Sequence, residues 1–119
     1  MPLVRVEMTE GKSKEYKKTV LDCIHDSLIK TLNIKDWDRF QRIIEIKKDD
    51  FEKPTGKTDN FMIIEITMFE GRTKSQKKAL IEGLTEDLNK RLNILPTDVF
   101  IIINEPPDEN WGLGGRQRG

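Results

Sequence analysis

The sequence predicts an α/β (α+β) fold in which duplicated strand–helix–strand units form a four-stranded mixed sheet with both helices on one face. Three observations lead there. The first is an ungapped internal repeat at an offset of 60 residues. Val4-Arg-Val-Glu-Met-Thr-Glu-Gly-Lys-Ser-Lys14 returns as Ile64-Glu-Ile-Thr-Met-Phe-Glu-Gly-Arg-Thr-Lys74, and identities resume at Leu28/Leu88, Asn33/Asn93, Asp38/Asp98 and Phe40/Phe100. The second is that hydrophobic periodicity within each copy changes from strand-like to helix-like and back. The third is that a strand–helix–strand crossover pairs its strands in parallel with a right-handed connection. The chain then divides into one domain, 1–119, with repeats at 2–48 and 61–107, a linker at 49–60 and a tail at 108–119.

Taken in order, residues 3–8 are short, rich in Val and Met, and end at a Glu-Gly turn, as strands do. Ser13 then stands where a side-chain oxygen can accept an orphan amide proton of a helix N-terminus. Val20, Leu21, Ile24, Leu28 and Leu32 form one apolar stripe behind it, and Asn33 is placed to close the helix. Residues 40–46, with Ile43, Ile44 and Ile46, give the next strand. The linker is polar, with Pro54 and Gly56, and is expected to be mobile. The second copy repeats the plan with a strand at 61–68. Thr73 and Gln76 suit a capping box, Leu80, Ile81, Leu84, Leu88 and Leu92 form the stripe, and 99–103 is the last strand. The tail, with Pro106-Pro107 upstream and four glycines, lacks helical period.

Composition narrows what such a domain does. Lys and Arg number 21, as do Asp and Glu, so the formal net charge is zero. That argues against nucleic acid as a partner, since such binding needs clustered, uncompensated cations. Hydrophobic residues make up 35% and charged residues 35%, a lean core for one chain. On strand 61–68 the outward set Ile63, Glu65 and Thr67 is mixed in polarity. Burial is therefore expected to finish between subunits. No apolar run approaches the ~20 residues of a membrane span, so no membrane partner is expected. The single cysteine, Cys23, forms no internal disulfide and fits a cytoplasmic, soluble protein.

Few residues offer chemistry. Pro2 becomes a terminal secondary amine if Met1 is removed, the usual fate of a methionine ahead of a small residue. Terminal amines titrate near about pH 8 and fall lower beside apolar groups or a cation, which would make Pro2 a neutral base near physiological pH. Proline at position 2 also occurs with no role. Gly71-Arg72-Thr73 leaves a strand and opens a helix, so its amides and the Arg72 fork could meet a carboxylate; a solvated capping turn is the plainer alternative. Gly11-Lys12-Ser13 is its counterpart, with a cation that cannot bind in bidentate fashion. Asp38-Arg-Phe-Gln41 puts an acid and an amide just before a strand, and Trp111-Gly-Leu-Gly-Gly115 puts an indole in a glycine-rich tail, either as a pocket wall or as an anchor. His25 and Cys23 lie in the first helix and read as structural. No metal-ligand spacing, phosphate loop or dinucleotide fingerprint is present, so neither metal nor cofactor is expected.

These pieces, in this order, resemble the tautomerase superfamily. The resemblance rests on Met1-Pro2, Glu70-Gly-Arg-Thr73, Asp38-Arg-Phe-Gln41 and Trp111-Gly-Leu-Gly-Gly115, and covers nearly the whole chain. The second half looks like 4-oxalocrotonate tautomerase, and the length and the Asp38 block look like the malonate semialdehyde decarboxylase branch. The resemblance implies a homotrimer of double units with Pro2 at the base of an apolar pocket, acting on a small-molecule 2-keto acid or its enol. It implies Pro2 as proton shuttle, Arg72 as holder of the substrate carboxylate or carbonyl, and Asp38 as an acid assisting water or proton transfer. Gln41, Trp111 and Leu113 are implied as substrate-binding residues. Glu70 stands where the decarboxylase pattern carries a further arginine, and Phe100 where the 4-oxalocrotonate pattern carries one. Each change removes a carboxylate partner, which favours a monocarboxylate such as a phenylpyruvate-type enol. A decarboxylase or hydratase, and a non-catalytic trimeric ligand-binding protein, are the competing expectations.

Overall fold

The computed structural model describes residues 2–119. Six strands and two long helices follow in the order β1 (Leu3–Thr9), α1 (Lys14–Leu32), β2 (Phe40–Ile46), β3 (Met62–Thr67), α2 (Lys74–Leu92), β4 (Val99–Asn104), β5 (Gly112–Leu113) and β6 (Arg116–Gln117). The main sheet has the order β2-β1-β3-β4. β1 runs parallel to β2, β3 parallel to β4, and the two units meet antiparallel along β1 and β3. This is the duplicated architecture expected from the repeat.

Both helices begin on the expected caps. Ser13 accepts the Tyr16 amide proton, and Thr73 and Gln76 bond reciprocally as a complete capping box. Both end on an asparagine in the left-handed region, Asn33 and Asn93, each with φ 56°, whose amide returns to a carbonyl of the last turn. The helices cover one sheet face. Val4, Val6 and Met8 on β1 and Met62, Ile64 and Ile66 on β3 point at Val20, Ile24 and Leu28 of α1 and Leu80, Leu84 and Leu88 of α2, all essentially without solvent contact. Within the predicted stripes Ile81 departs, being exposed on α2.

The opposite face carries Phe40 and Ile44 of β2 and Phe100 and Ile102 of β4, each between 36% and 49% exposed. Between these edge strands, β1 and β3 pair Arg5 with Glu65. Aromatic and aliphatic side chains thus stand in the open around a charged centre.

Two segments have more structure than their composition foretold. The linker 49–60 is tied to the second unit, with Lys57 Nζ donating to the Thr97 carbonyl at 2.6 Å and Thr58 donating to Asp98. The tail folds as the small antiparallel hairpin β5–β6 after a short 3₁₀ turn at Asp108–Asn110. Among the described residues, no helix is long and apolar enough to cross a membrane.

Candidate active site

The strand registers decide what Pro2 meets. Leu3 stands beside Phe40 in the parallel pair and opposite Thr67 in the antiparallel pair. The start of β1, the loop leading into β2 and the turn leaving β3 therefore share one end of the sheet. Pro2, Asp38 and Arg72 lie on those three segments. Pro2 is buried, and it has the same sheet parity as Val4, Val6 and Met8. Met1, whose removal would free the Pro2 amine, lies outside the described residues.

Arg72 is held at the mouth of α2. Gly71 takes φ 121°, a backbone region that side chains beyond glycine rarely adopt, and so turns the chain from β3 into the helix. The capping box consumes the Thr73 and Gln76 amides, so the helix end retains fewer free donors than a bare N-terminus. The Arg72 guanidinium is the cationic group this turn presents. That side chain is partly buried and, among the described residues, has no ion-pair or hydrogen-bond partner. Guanidinium groups pair well with planar carboxylates, in bidentate fashion.

Asp38 lies in a loop fixed from several sides. Its amide donates to the Lys35 carbonyl at 3.0 Å, and Arg39 reaches back to Asp22 at 2.6 Å. Buried His25 of α1 donates from Nε2 to the Asp36 carbonyl at 2.8 Å, which places the neutral tautomer's proton on that nitrogen. One carboxylate oxygen of Asp38, Oδ1, is shielded from solvent.

The remaining candidates are placed differently. Gln41 shares the helix-facing pleat with Val4, and its Nε2 donates to the Leu21 carbonyl at 3.0 Å, tying β2 to α1. Trp111 is 8% exposed and packs edge-on against Phe69 at 4.7 Å between ring centroids, while Nε1 donates to the Pro106 carbonyl. The Arg118 guanidinium lies 3.8 Å over the other part of this cluster, the Phe69 ring. The tail is thereby clamped to the segment that leads into Arg72, a contact between distant residues that no local pattern announces. Leu113 is exposed on the hairpin. Among the described residues, no three His, Cys, Asp or Glu side chains converge as a metal-ligating group. Burial pushes the Cys23 thiol up to about 11, which keeps it protonated and inert.

Comparison with known proteins agrees with the fold. Two models of tautomerase enzymes match the sequence, one over residues 2–52 and the other over residues 38–114. A probable tautomerase of Bacillus subtilis, YusQ, is 31% identical over 119 residues, covering 96% of this chain and 94% of its own. The crystal structure of FG41 malonate semialdehyde decarboxylase inhibited by 3-bromopropiolate superposes with a TM-score of 0.82 at 29% identity, covering 94% of this chain and 88% of that one. A fused 4-OT wild-type asymmetric trimer shares the fold with a TM-score of 0.86 at 22% identity, covering 97% and 94%. With its duplicated β-α-β sheet and these relatives, the chain belongs to the tautomerase family of enzymes.

Proposed function

We propose that this enzyme interconverts the enol and keto forms of a small 2-keto monocarboxylate, with the Pro2 amine as the base. The amine takes the proton of the enol hydroxyl as the carbonyl forms, and the resulting ammonium returns a proton to the neighbouring carbon. Arg72 binds the carboxylate and opposes the negative charge that builds on the oxygen. Asp38 acts beside Pro2 on proton transfer, and Gln41, Trp111 and Leu113 shape the substrate pocket. The observation that carries the reading is the Arg72 guanidinium, which has no partner among the described residues, at the same sheet end as buried Pro2. Conversion of phenylpyruvate enol to the keto form tests it. The processed protein should accelerate this step, and Pro2→Ala should retain only part of the rate, because a primary amine remains at another orientation. A processed protein without rate enhancement would contradict the reading.

Two further features of the proposal concern context. The enzyme works as a homotrimer, which the apolar rim of the open sheet face supports, as does the trimer in which the fused 4-OT neighbour is found. It works in the cytoplasm, a reducing compartment suited to the unpaired Cys23 thiol. A second reading, decarboxylation or hydration of a three-carbon aldehyde acid, is favoured by Asp38 with its shielded oxygen and by the likeness to a malonate semialdehyde decarboxylase. Release of carbon dioxide from malonate semialdehyde faster than phenylpyruvate turnover would select it.

A further inference from the structure

The duplication supplies a second copy of the site, and that copy is not empty. Arg5 and Glu65 are equivalent under the 60-residue offset and face each other across the β1–β3 pair, so a pseudo-two-fold axis passes between them. The two halves also share their internal register: Leu3 stands beside Phe40 as Ile63 stands beside Phe100. Helix α2 repeats the span of α1 at the same offset. Every position of the candidate site therefore has a counterpart. Pro2 corresponds to Met62, Asp38 to Asp98, Arg72 to Lys12, and Gln76 to Tyr16.

At this second end the chain reaches Met62 through the linker. Asn60 lies there with its side-chain carbonyl oxygen between two donors. Lys12 Nζ donates to Asn60 Oδ1 at 2.9 Å, and the Tyr16 hydroxyl donates to the same oxygen at 3.0 Å. Lys12 also lies 5.1 Å from the centre of the Tyr16 ring, which keeps the two donors together. Asp98, fully buried, accepts from the Thr58 amide at 2.9 Å and from the Thr58 hydroxyl at 2.6 Å. The linker thus supplies an oxygen acceptor to the cation and donors to the acid. At the first end no described residue offers Arg72 an acceptor.

We propose that Lys12 and Tyr16 form a second site for the oxygen of a small carboxylate or carbonyl compound, and that Asn60 occupies it as an internal ligand. An amide carbonyl is the protein's nearest equivalent of such an oxygen, and it receives one charged and one neutral donor, a pairing that would also hold a carboxylate. The Tyr16 phenol is pushed up to about 12, by burial first and then by the charge of Asp98, so it remains a donor across the physiological range. Each chain consequently keeps one open site and one closed by its own linker. The class of ligand rests on the reading of Arg72 given above.

Pyruvate serves as the probe, with Arg72→Ala used to silence the first site. Asn60 is a partly exposed linker residue, so Asn60→Ala leaves the core intact. Tyr16 is the only tyrosine in the chain, and a ring-labelled tyrosine signal therefore reports on this site alone. Pyruvate should bind the Arg72→Ala, Asn60→Ala protein at least tenfold more tightly than Arg72→Ala alone and shift the Tyr16 signal. Adding Lys12→Ala should abolish that gain. In the background with native Arg72, Asn60→Ala should raise the stoichiometry from one to two pyruvates per chain. Equal affinity with and without Asn60, or a gain indifferent to Lys12, would overturn the proposal. Wild type that binds no pyruvate, with the double variant binding one through Lys12, would overturn the reading of Arg72 and uphold this one.

Discussion

Arg72 and Lys12 occupy equivalent positions and face opposite circumstances. Arg72 is without a protein acceptor among the described residues, while Lys12 is committed to Asn60. Arg72→Ala should therefore cost about 2–4 kcal/mol in kcat/KM, the range for losing one preorganised charge-stabilising donor, whereas Lys12→Ala should leave kcat/KM nearly unchanged. Steady-state kinetics on phenylpyruvate enol checks both, and equal small losses would reduce Arg72 to a capping-turn residue. Tyr16 makes a separate prediction about pH. Its folded phenol is raised from 10.0 to about 12, so an unfolded chain gives up this proton first. The stabilising contribution is complete below pH 10 and disappears as pH rises through about 12. Urea unfolding should show wild type losing stability across that window more steeply than Tyr16→Phe. Parallel profiles would mean that Tyr16 is solvated.

Helix α2 delivers Arg72, and its first turn depends on reciprocal bonds between Thr73 and Gln76. Thr73→Ala should destabilise the protein by about 1 kcal/mol, with an upper range near 2 kcal/mol, as caps do, and should raise KM more than it lowers kcat by loosening the turn that holds the guanidinium. Denaturant melts and kinetics measure the two effects separately. At this scale the sequence was highly legible. Ser13, Thr73, Asn33 and Asn93 mark helix ends through local hydrogen bonding, and the alternation of Met62, Ile64 and Ile66 marks a half-buried strand. The repeat places Pro2, Arg72 and Asp38 at element ends, and the strand registers bring those ends to one end of the sheet; the roles given to them rest on the proposal above. What escaped sequence reading depends on contacts distant along the chain. The Arg118–Phe69–Trp111 stack orders a tail with no period of its own, and Thr58 and Asn60 order a linker of mobile composition by bonding Asp98, Lys12 and Tyr16. The Asp38/Asp98 identity and the match of Gly11-Lys12-Ser13 to Gly71-Arg72-Thr73 were the available signals for that second cluster.

Across the whole molecule, two helices cover one sheet face and leave the other with exposed Phe40, Ile44, Phe100 and Ile102. If these side chains meet other subunits in a trimer, Ile102→Glu should place a desolvated charge in the contact and yield a folded but dissociated chain. Sedimentation at micromolar concentration would then give about one third of the wild-type mass. Identical masses would remove this face from assembly. The proposed chemistry depends on where the chain starts, because only a terminal Pro2 has a basic lone pair. An extension turns the amine into an amide, and the second half illustrates a further consequence, since there the residue two positions before Met62 lies across Lys12. The most direct test compares processed protein, its terminus established by mass spectrometry, with protein carrying one or more residues ahead of Pro2. Both should fold with the same melting temperature and the same assembly state, and only the processed form should convert phenylpyruvate enol at the full rate. Equal activity in the extended protein would show that the Pro2 amine is not the base.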